Sequence, residues 1–345
     1  MTQLPIPPSQ LINTNGKANL GVYNGPVLDV NLQDFDYRIL GRFPFSLTAG
    51  LARKQIKRWQ YLGVVDKDLV IGVAVVDLSY VGSAFAYVYD RKSQKQKEIN
   101  LVDPGCGNTT YSKNSVSGFS ALQTRKAQIR LGNGEGDKVR RIDVTASDFQ
   151  IHVEIEDDPE KFNSISACTR NGLHGFNYTH KAAGFPAKGK VIVDGEERTL
   201  SDDALAVLDW TAGCAKRETF WNWSNGAGRL EDGTVIGINL VSGINESAYT
   251  ENVIWVDGKP EKVDIIHFDY DTHDISKPWK ICSNDGKVDL TFTPEGERKE
   301  NQNLLFIVSK FRQPFGTFKG SFVVNGKKIV VDDLYGFCEE HFVKW

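Results

Sequence analysis

The sequence predicts a mainly β chain folded as two antiparallel barrel-like units behind an extended N-terminal arm. Three observations carry this. From Trp59 onward, β-branched and aromatic runs follow one another with polar breaks between them, as in consecutive antiparallel strands. The second half is punctuated by Asp-Gly and Asn-Gly pairs at 194–195, 232–233, 257–258, 285–286 and 325–326, residue pairs that accept the positive φ angles of tight hairpin turns. No long stretch repeats apolar residues at helical spacing. At 345 residues the chain exceeds what one hydrophobic core usually holds, which favours two units. Closing each sheet into a barrel removes its exposed edges.

Residues 1–50 are rich in Pro, Gly and Asn with isolated hydrophobic residues between them, and read as an arm draped over a barrel. Residues 51–165 form the first unit, a meander that starts with QYLGVVDKDLVIGVAVVDLSY and ends with FQIHVEIE. In that last run Phe149, Ile151, Val153 and Ile155 share one face and Gln150, His152, Glu154 and Glu156 the other, the period of a half-buried strand. Residues 157–189 lose the alternation and collect Pro, Gly, Asn and Ser, so the link is placed there and the second unit is drawn as 166–345.

Composition narrows the function classes. The formal net charge is -3 with both signs interspersed, and no basic run is joined to an aromatic pattern, so nucleic acid is not an expected partner. Five cysteines without CxxC spacing argue against a disulfide framework and fit a reducing compartment. With no leader-like N-terminus and no window near the roughly 20 apolar residues of a membrane span, a cytoplasmic location is expected. There is no nucleophile elbow, phosphate-binding loop or dinucleotide fingerprint, and no cofactor is expected. Oligomeric state is left open.

The densest collection of functional side chains is residues 209–252. In TFWNWS, Trp221 and Trp223 share one strand face, to fill a barrel or to line its mouth for a ligand. Asn239 is an amide on a strand otherwise suited to burial, so it holds either backbone or substrate. Trp210, Arg217 and Asn252 complete the expected ligand-binding set, Arg217 as the anchor for an anionic group. Asp209, Glu246 and His180 are the expected catalytic residues, with Glu251 weighed beside the two carboxylates as a general acid near a strand end. A carboxylate against an apolar indole wall acquires the raised pKa of a general acid, and a histidine shuttles protons; the plainer alternative for each carboxylate is a cap or an ion pair. His267, Asp269, Asp271 and His273 fall at alternate positions, but side chains on one strand face recur about 7 Å apart, too far for one ion, and no metal is expected. Glu339, Glu340 and His341 precede an aromatic end that would close a barrel, with catalysis by His341 as the lesser alternative.

The motifs THK at Thr179–Lys181, LDWTAG ending at Gly213, RETFWNWSNGAGRLEDGTVIGINL, the Glu251-Asn252 pair and the tail GFCEEHFVKW resemble the bacterial family known as domain of unknown function 2804. That family is distantly similar to the calycin-like group that includes carotenoid hydratases and AttH-like proteins. The resemblance implies two tandem lipocalin-like barrels; it carries over no activity. The resulting expectation is a protein that binds a small, partly apolar molecule. As an enzyme it would be a cofactor-independent hydratase or isomerase of a lipid or isoprenoid. Rival readings are a carbohydrate-binding or carbohydrate-processing protein and a scaffold without a ligand.

Overall fold

The computed structural model describes residues 4–40, 53–244, 249–304 and 307–345. Strands dominate. A larger antiparallel sheet contains β1 (Gly21–Asn24), β2 (Ile56–Val65), β3 (Leu69–Asp77), β4 (Val81–Asp90), β5 (Lys95–Pro104), β6 (Thr109–Thr110), β7 (Gly118–Gln123), β8 (Gln128–Asn133), β9 (Val139–Thr145), β10 (Phe149–Glu156), β11 (Ile165–Asn171), β12 (Gly175–Val193), β13 (Glu196–Thr199) and β14 (Leu205–Cys214). A smaller one contains β15 (Glu218–Arg229), β16 (Val235–Ser242), β17 (Val253–Val256), β18 (Lys259–Lys262), β19 (Ile266–Asp269), β20 (Trp279–Ser283), β21 (Val288–Leu304), β22 (Ile307–Val324) and β23 (Lys327–Lys344). The expected class, two curled antiparallel sheets in tandem, is what the chain forms. Among the described residues no helix is long and apolar enough to cross a membrane.

Local chemistry explains the elements. The alternation in β10 is kept residue by residue, with Phe149, Ile151, Val153 and Ile155 buried and the polar set half-buried. At Asp194-Gly195, Asp257-Gly258 and Asn325-Gly326 both residues have positive φ, as the tight hairpin requires; at Asp232-Gly233 and Asp285-Gly286 only the glycine does. The arm contributes Leu11, Ile12, Val27, Val30 and Phe35 to the larger core, and β1 pairs with β11.

The stretch that composition marks as a link is largely strand: residues 165–193 contain β11 and the whole of the long β12, which pairs with β14, β11 and β10 inside the larger sheet. The pairing changes sheet only between β14 and β15, at residues 215–217. The glycines that broke the alternation bend β12 instead of releasing it. Gly184 (φ +107) stands at a register shift against β14, and Gly189 (φ +150) has the main chain of His152 and Val153 so close that any Cβ would overlap it.

Two cores result. Ile236, Ile238 and Leu240 of β16 point into the smaller sheet's own core with Trp279, Phe292 and Phe322. The other face of that sheet, through Trp223, Val241, Phe315 and Phe337, joins the core of the larger sheet. Gly237 of β16 packs directly on the larger sheet: a Cβ there would stand 1.9 Å from the Ala183 carbonyl oxygen of β12. Gly237→Ala is therefore expected to push the sheets apart and lower stability by about 1–3 kcal/mol, as overpacking does. Gly107→Ala, with nothing near its Cβ and an ordinary φ, is the neutral control. Urea denaturation measures both, and equal midpoints would show that the sheets do not depend on this contact.

Candidate functional site

A cavity of about 190 Å³ lies between the two sheets, walled by β2, β3, β4, β12 and β14 on one side and β15, β21, β22 and β23 on the other. Strand parity selects its lining: Trp59 and Tyr61, Thr179 and Lys181, Asp209 and Thr211, Trp221 and Trp223, and Glu339 and His341 are all alternate positions on their strands.

At its centre Lys181 is buried between two carboxylates, 2.9 Å from Asp209 and 3.2 Å from Glu251. Register causes the first contact, because Lys181 of β12 stands directly opposite Asp209 of β14. Burial opposes the ammonium charge, but the two carboxylates outweigh it and hold the Lys181 pKa above its ordinary value. Asp209 Oδ1 also accepts from Thr211 (2.8 Å) and Oδ2 from the Trp59 indole (3.0 Å), while Thr179 donates to Glu251 at 2.6 Å. Lys181 Nζ lies 4.8 Å from the centre of the Trp223 ring, within cation–π range.

A further carboxyl group in the cavity is that of Glu339, and its surroundings differ. It accepts from Trp221 Nε1 at 2.8 Å and from Gln313 Nε2 at 3.0 Å, and among the described residues no Lys or Arg is in hydrogen-bond contact with it. Burial raises its pKa to about 7, opposed by those two hydrogen bonds and reinforced by the charge of Asp209. Behind it, Gln313 Oε1 accepts from Tyr87 at 2.7 Å, and Tyr87 meets Tyr61 at 3.1 Å. The planes of Trp59 and Trp221 are within 5° of parallel, centroids 6.2 Å apart, so each of two parallel indoles donates to one of the two carboxyl groups.

Several expected site residues meet here and others do not. Trp221, Trp223 and Asp209 line the cavity. Asn239 stands behind the wall, accepting from Trp223 Nε1 at 2.8 Å and donating to the Glu251 carbonyl at 2.9 Å, so it fixes Trp223 and the Glu251 segment in place. Asn252 likewise holds backbone, taking the Val241 amide and giving to the Asp264 carbonyl. Trp210 and His180 point away because they are one residue out of phase. Trp210 is buried with Tyr111 and Tyr178 and donates to Ser112. His180 contacts Ser164 at 2.8 Å, and burial, with Arg140 adding to it, pushes its pKa down to about 3, unsuited to a shuttle at neutral pH. Arg217 is exposed in the 215–217 connection, outside the cavity wall. Glu246 lies outside the described residues.

Lys181 and Glu339 are absent from the expected site residues, whereas Glu251 is among the weighed carboxylates; parity carries a signal for Glu339, which in GFCEEHFVKW shares a face with Phe337, His341 and Val343. His341 lines the cavity 2.9 Å from Ser309, and burial beside Arg298 lowers its pKa to about 3. The His267 to His273 array does not converge. His267 contacts Asn284, Asp271 pairs with Lys277, and among the described residues no group of three or more His, Cys, Asp or Glu could hold a metal ion.

A family model described as "Domain of unknown function (DUF2804)" matches residues 4–345. The chain belongs to this family. Among solved structures it is similar to kievitone hydratase from Nectria haematococca, with a TM-score of 0.52, 11% identity, and 83% of this chain and 88% of that one covered. It is similar to CghA with Sch210972, with a TM-score of 0.53, 10% identity, and 84% and 88% covered. A putative AttH from Nitrosomonas europaea follows with a TM-score of 0.50, 12% identity, and 83% and 92% covered. At such identities the likeness is one of fold, and it bears out the tandem lipocalin-like architecture of this DUF2804 chain. A comparison with curated proteins finds no match.

Glu339 sets a pH dependence. Its folded pKa of about 7 exceeds the ordinary 4.5, so between these values the folded chain binds more protons than the unfolded one, and stability falls as pH rises through that window. Relative to Glu339→Gln, the native protein is expected to lose on the order of 2 kcal/mol between pH 5 and pH 8. Parallel urea midpoints for the two proteins would show that this carboxyl group titrates normally. Lys181→Met, which leaves Asp209 and Glu251 buried without their cation, is expected to cost about 3–5 kcal/mol. Calorimetric melting tests it, and a change below about 1 kcal/mol would mean that the carboxylates do not need the ammonium.

Proposed function

We propose that this cavity binds a small, partly apolar molecule and acts on it by proton transfer, as a cofactor-independent hydratase or isomerase of a carbon–carbon double bond. The observation that carries the reading is the contrast between two carboxyl groups in one apolar cavity, Asp209 ion-paired with Lys181 and Glu339 raised to about 7 by burial. Glu339 is the better proton donor. Both oxygens of Asp209 are engaged by Lys181, Thr211 and Trp59, which fixes the carboxyl group in place beside the reacting centre. In hydration, Glu339 protonates one alkene carbon and water bonds to the other. The proton released by that water restores Glu339, so nothing is consumed but substrate and water. The indoles of Trp59, Trp221 and Trp223 supply apolar walls and π faces toward the cationic intermediate. The fold shared with kievitone hydratase supports hydration as the first reaction to test.

The parallel Trp59 and Trp221 rings beside two carboxyl groups also favour a second reading, carbohydrate processing. Five free cysteines, three of them buried, support the proposal of a reducing, cytoplasmic compartment.

Incubation with aryl and isoprenoid alkenes in deuterated water, without cofactor, tests the reaction through deuterium incorporation read by mass spectrometry. Glu339→Gln is expected to lower the rate about 10²–10⁴-fold while ligand binding persists. Full activity in that variant would remove Glu339 from the mechanism, and turnover of oligosaccharides alone would favour the second reading.

A further inference from the structure

Hydration needs a water held beside Glu339, and strand register supplies a side chain to hold it. On β23, His341 follows Glu339 by two residues and shares its cavity face. It stands directly opposite Trp221 of β15 and Phe311 of β22. Both rings meet the imidazole edge to face, with centroids 4.4 Å and 5.0 Å away, and fix its orientation. Nε2 is engaged with the Ser309 hydroxyl at 2.9 Å. Nδ1 lies 3.9 Å from Glu339 Oε1, too far for a hydrogen bond between them.

Nδ1 is the ring nitrogen left to bind something else. Among the described residues it has no hydrogen-bond partner, and it is not one of the sealed polar atoms of the molecule, so part of its surface is open. The His341 side chain is 16% exposed and borders the cavity, against 6% for Glu339. One water with hydrogen bonds of about 2.8 Å to Nδ1 and Oε1 spans a gap of this size at an angle of roughly 90°. Basicity separates the two groups that would share it. Burial, with Arg298 adding to it, holds the His341 pKa down at about 3, whereas that of Glu339 is about 7. A proton released between them goes to Glu339, and the imidazole holds the water without taking its proton. The other charged groups of the cavity are bound to one another, Lys181 to Asp209 and Glu251, and Arg298 to Glu300.

We propose that His341 positions the water that adds to the double bond, with Nδ1 accepting one O–H of that water and Nε2–H donated to Ser309. The inference rests on the reading of the cavity as a hydratase site, and it adds the residue that decides between addition of water and simple loss of a proton. As the Glu339 O–H bond breaks, a C–H bond forms and the neighbouring carbon becomes cationic. The oxygen of the held water bonds to that carbon, and its other O–H bond breaks to return a proton to Glu339 Oε1. Only alkene and water are consumed.

Deuterated water separates the two fates of the cation, because trapping by water gives a deuterated alcohol and loss of a proton gives a deuterated alkene. With α-methylstyrene as the probe and mass spectrometry as the readout, the native protein is expected to form mainly alcohol. In His341→Phe, which keeps a ring between Trp221 and Phe311, the ratio of alcohol to deuterated alkene should fall at least about tenfold, the effect of one lost hydrogen bond, while deuterium still enters the recovered alkene. His341→Asn, whose amide falls near the place of Nδ1, should recover part of the ratio, and His341→Gln, which reaches toward Ser309 instead, should not. Melting checks the folding of each variant, and if His341→Phe does not fold, the contrast between Asn and Gln decides. A merely structural role would lower both products together, and an unchanged ratio would overturn the proposal, as would deuterated alkene without alcohol from the native protein. Independently of turnover, nitrogen-15 NMR, with the His341 signal assigned by its loss in a folded variant, is expected to show a neutral ring protonated at Nε2 from about pH 5 to pH 8. A proton on Nδ1 would overturn the role of His341 and leave Glu339 as the acid. No deuterium uptake from any alkene by the native protein would count against the hydratase reading itself, and this inference with it.

Discussion

Keeping the ammonium group of Lys181 out of water constrains the centre of this molecule. An isolated buried charge is costly enough that the surroundings must be built around it, and here two carboxylates, two threonine hydroxyls and an indole N–H are drawn in to meet that demand. The network is also a fastener. Lys181 and Asp209 belong to the larger sheet, whereas Glu251 lies two residues before β17 of the smaller one, so the pairing ties the two sheets at the point where they enclose the cavity. The close packing of Gly237 on β12 and the Trp223–Asn239–Glu251 chain of hydrogen bonds hold the same seam.

This seam accounts for the unlike surroundings of Asp209 and Glu339. Asp209 is met by a cation across adjacent strands; Glu339 reaches the cavity from β23 and meets an indole and an amide, both neutral donors. Neutral donors stabilise the charged form less than an ammonium does, and burial prevails at Glu339. The difference arises from strand register and from which neighbour happens to be charged, and it requires no unusual backbone.

Register also explains how much could be read from sequence. Period-2 patterns and hairpin pairs act within a few residues, so the strand class, the turns and the shared face of Trp221 and Trp223 were legible. In the THK motif the histidine draws attention as the catalytic type, yet parity puts Thr179 and Lys181 on the cavity side and His180 on the other. The same one-residue phase separates Asp209 from Trp210. Pairings such as Lys181 with Glu251, or Arg298 with Glu98, join strands far apart in the chain, and no local pattern encodes them. Composition draws the division at 165–166, whereas strand pairing changes sheet after β14; glycine serves a strand bend as readily as a linker, and only pairing partners tell the two apart.

A cavity formed where two sheets meet draws on one face of each strand, and the opposite faces belong to separate interiors. On β14, Asp209 and Thr211 border the cavity while Leu208 and Trp210 belong to the larger sheet's own packing; on β16 the split is between Val241 and the Ile238–Leu240 side. The strand itself thus separates the side chains that border the cavity from those that pack on its far face. Such a scaffold can exchange lining residues outside the Lys181 network and the shared core while the far faces keep their packing, so a family of these chains can diversify in chemistry on one fold.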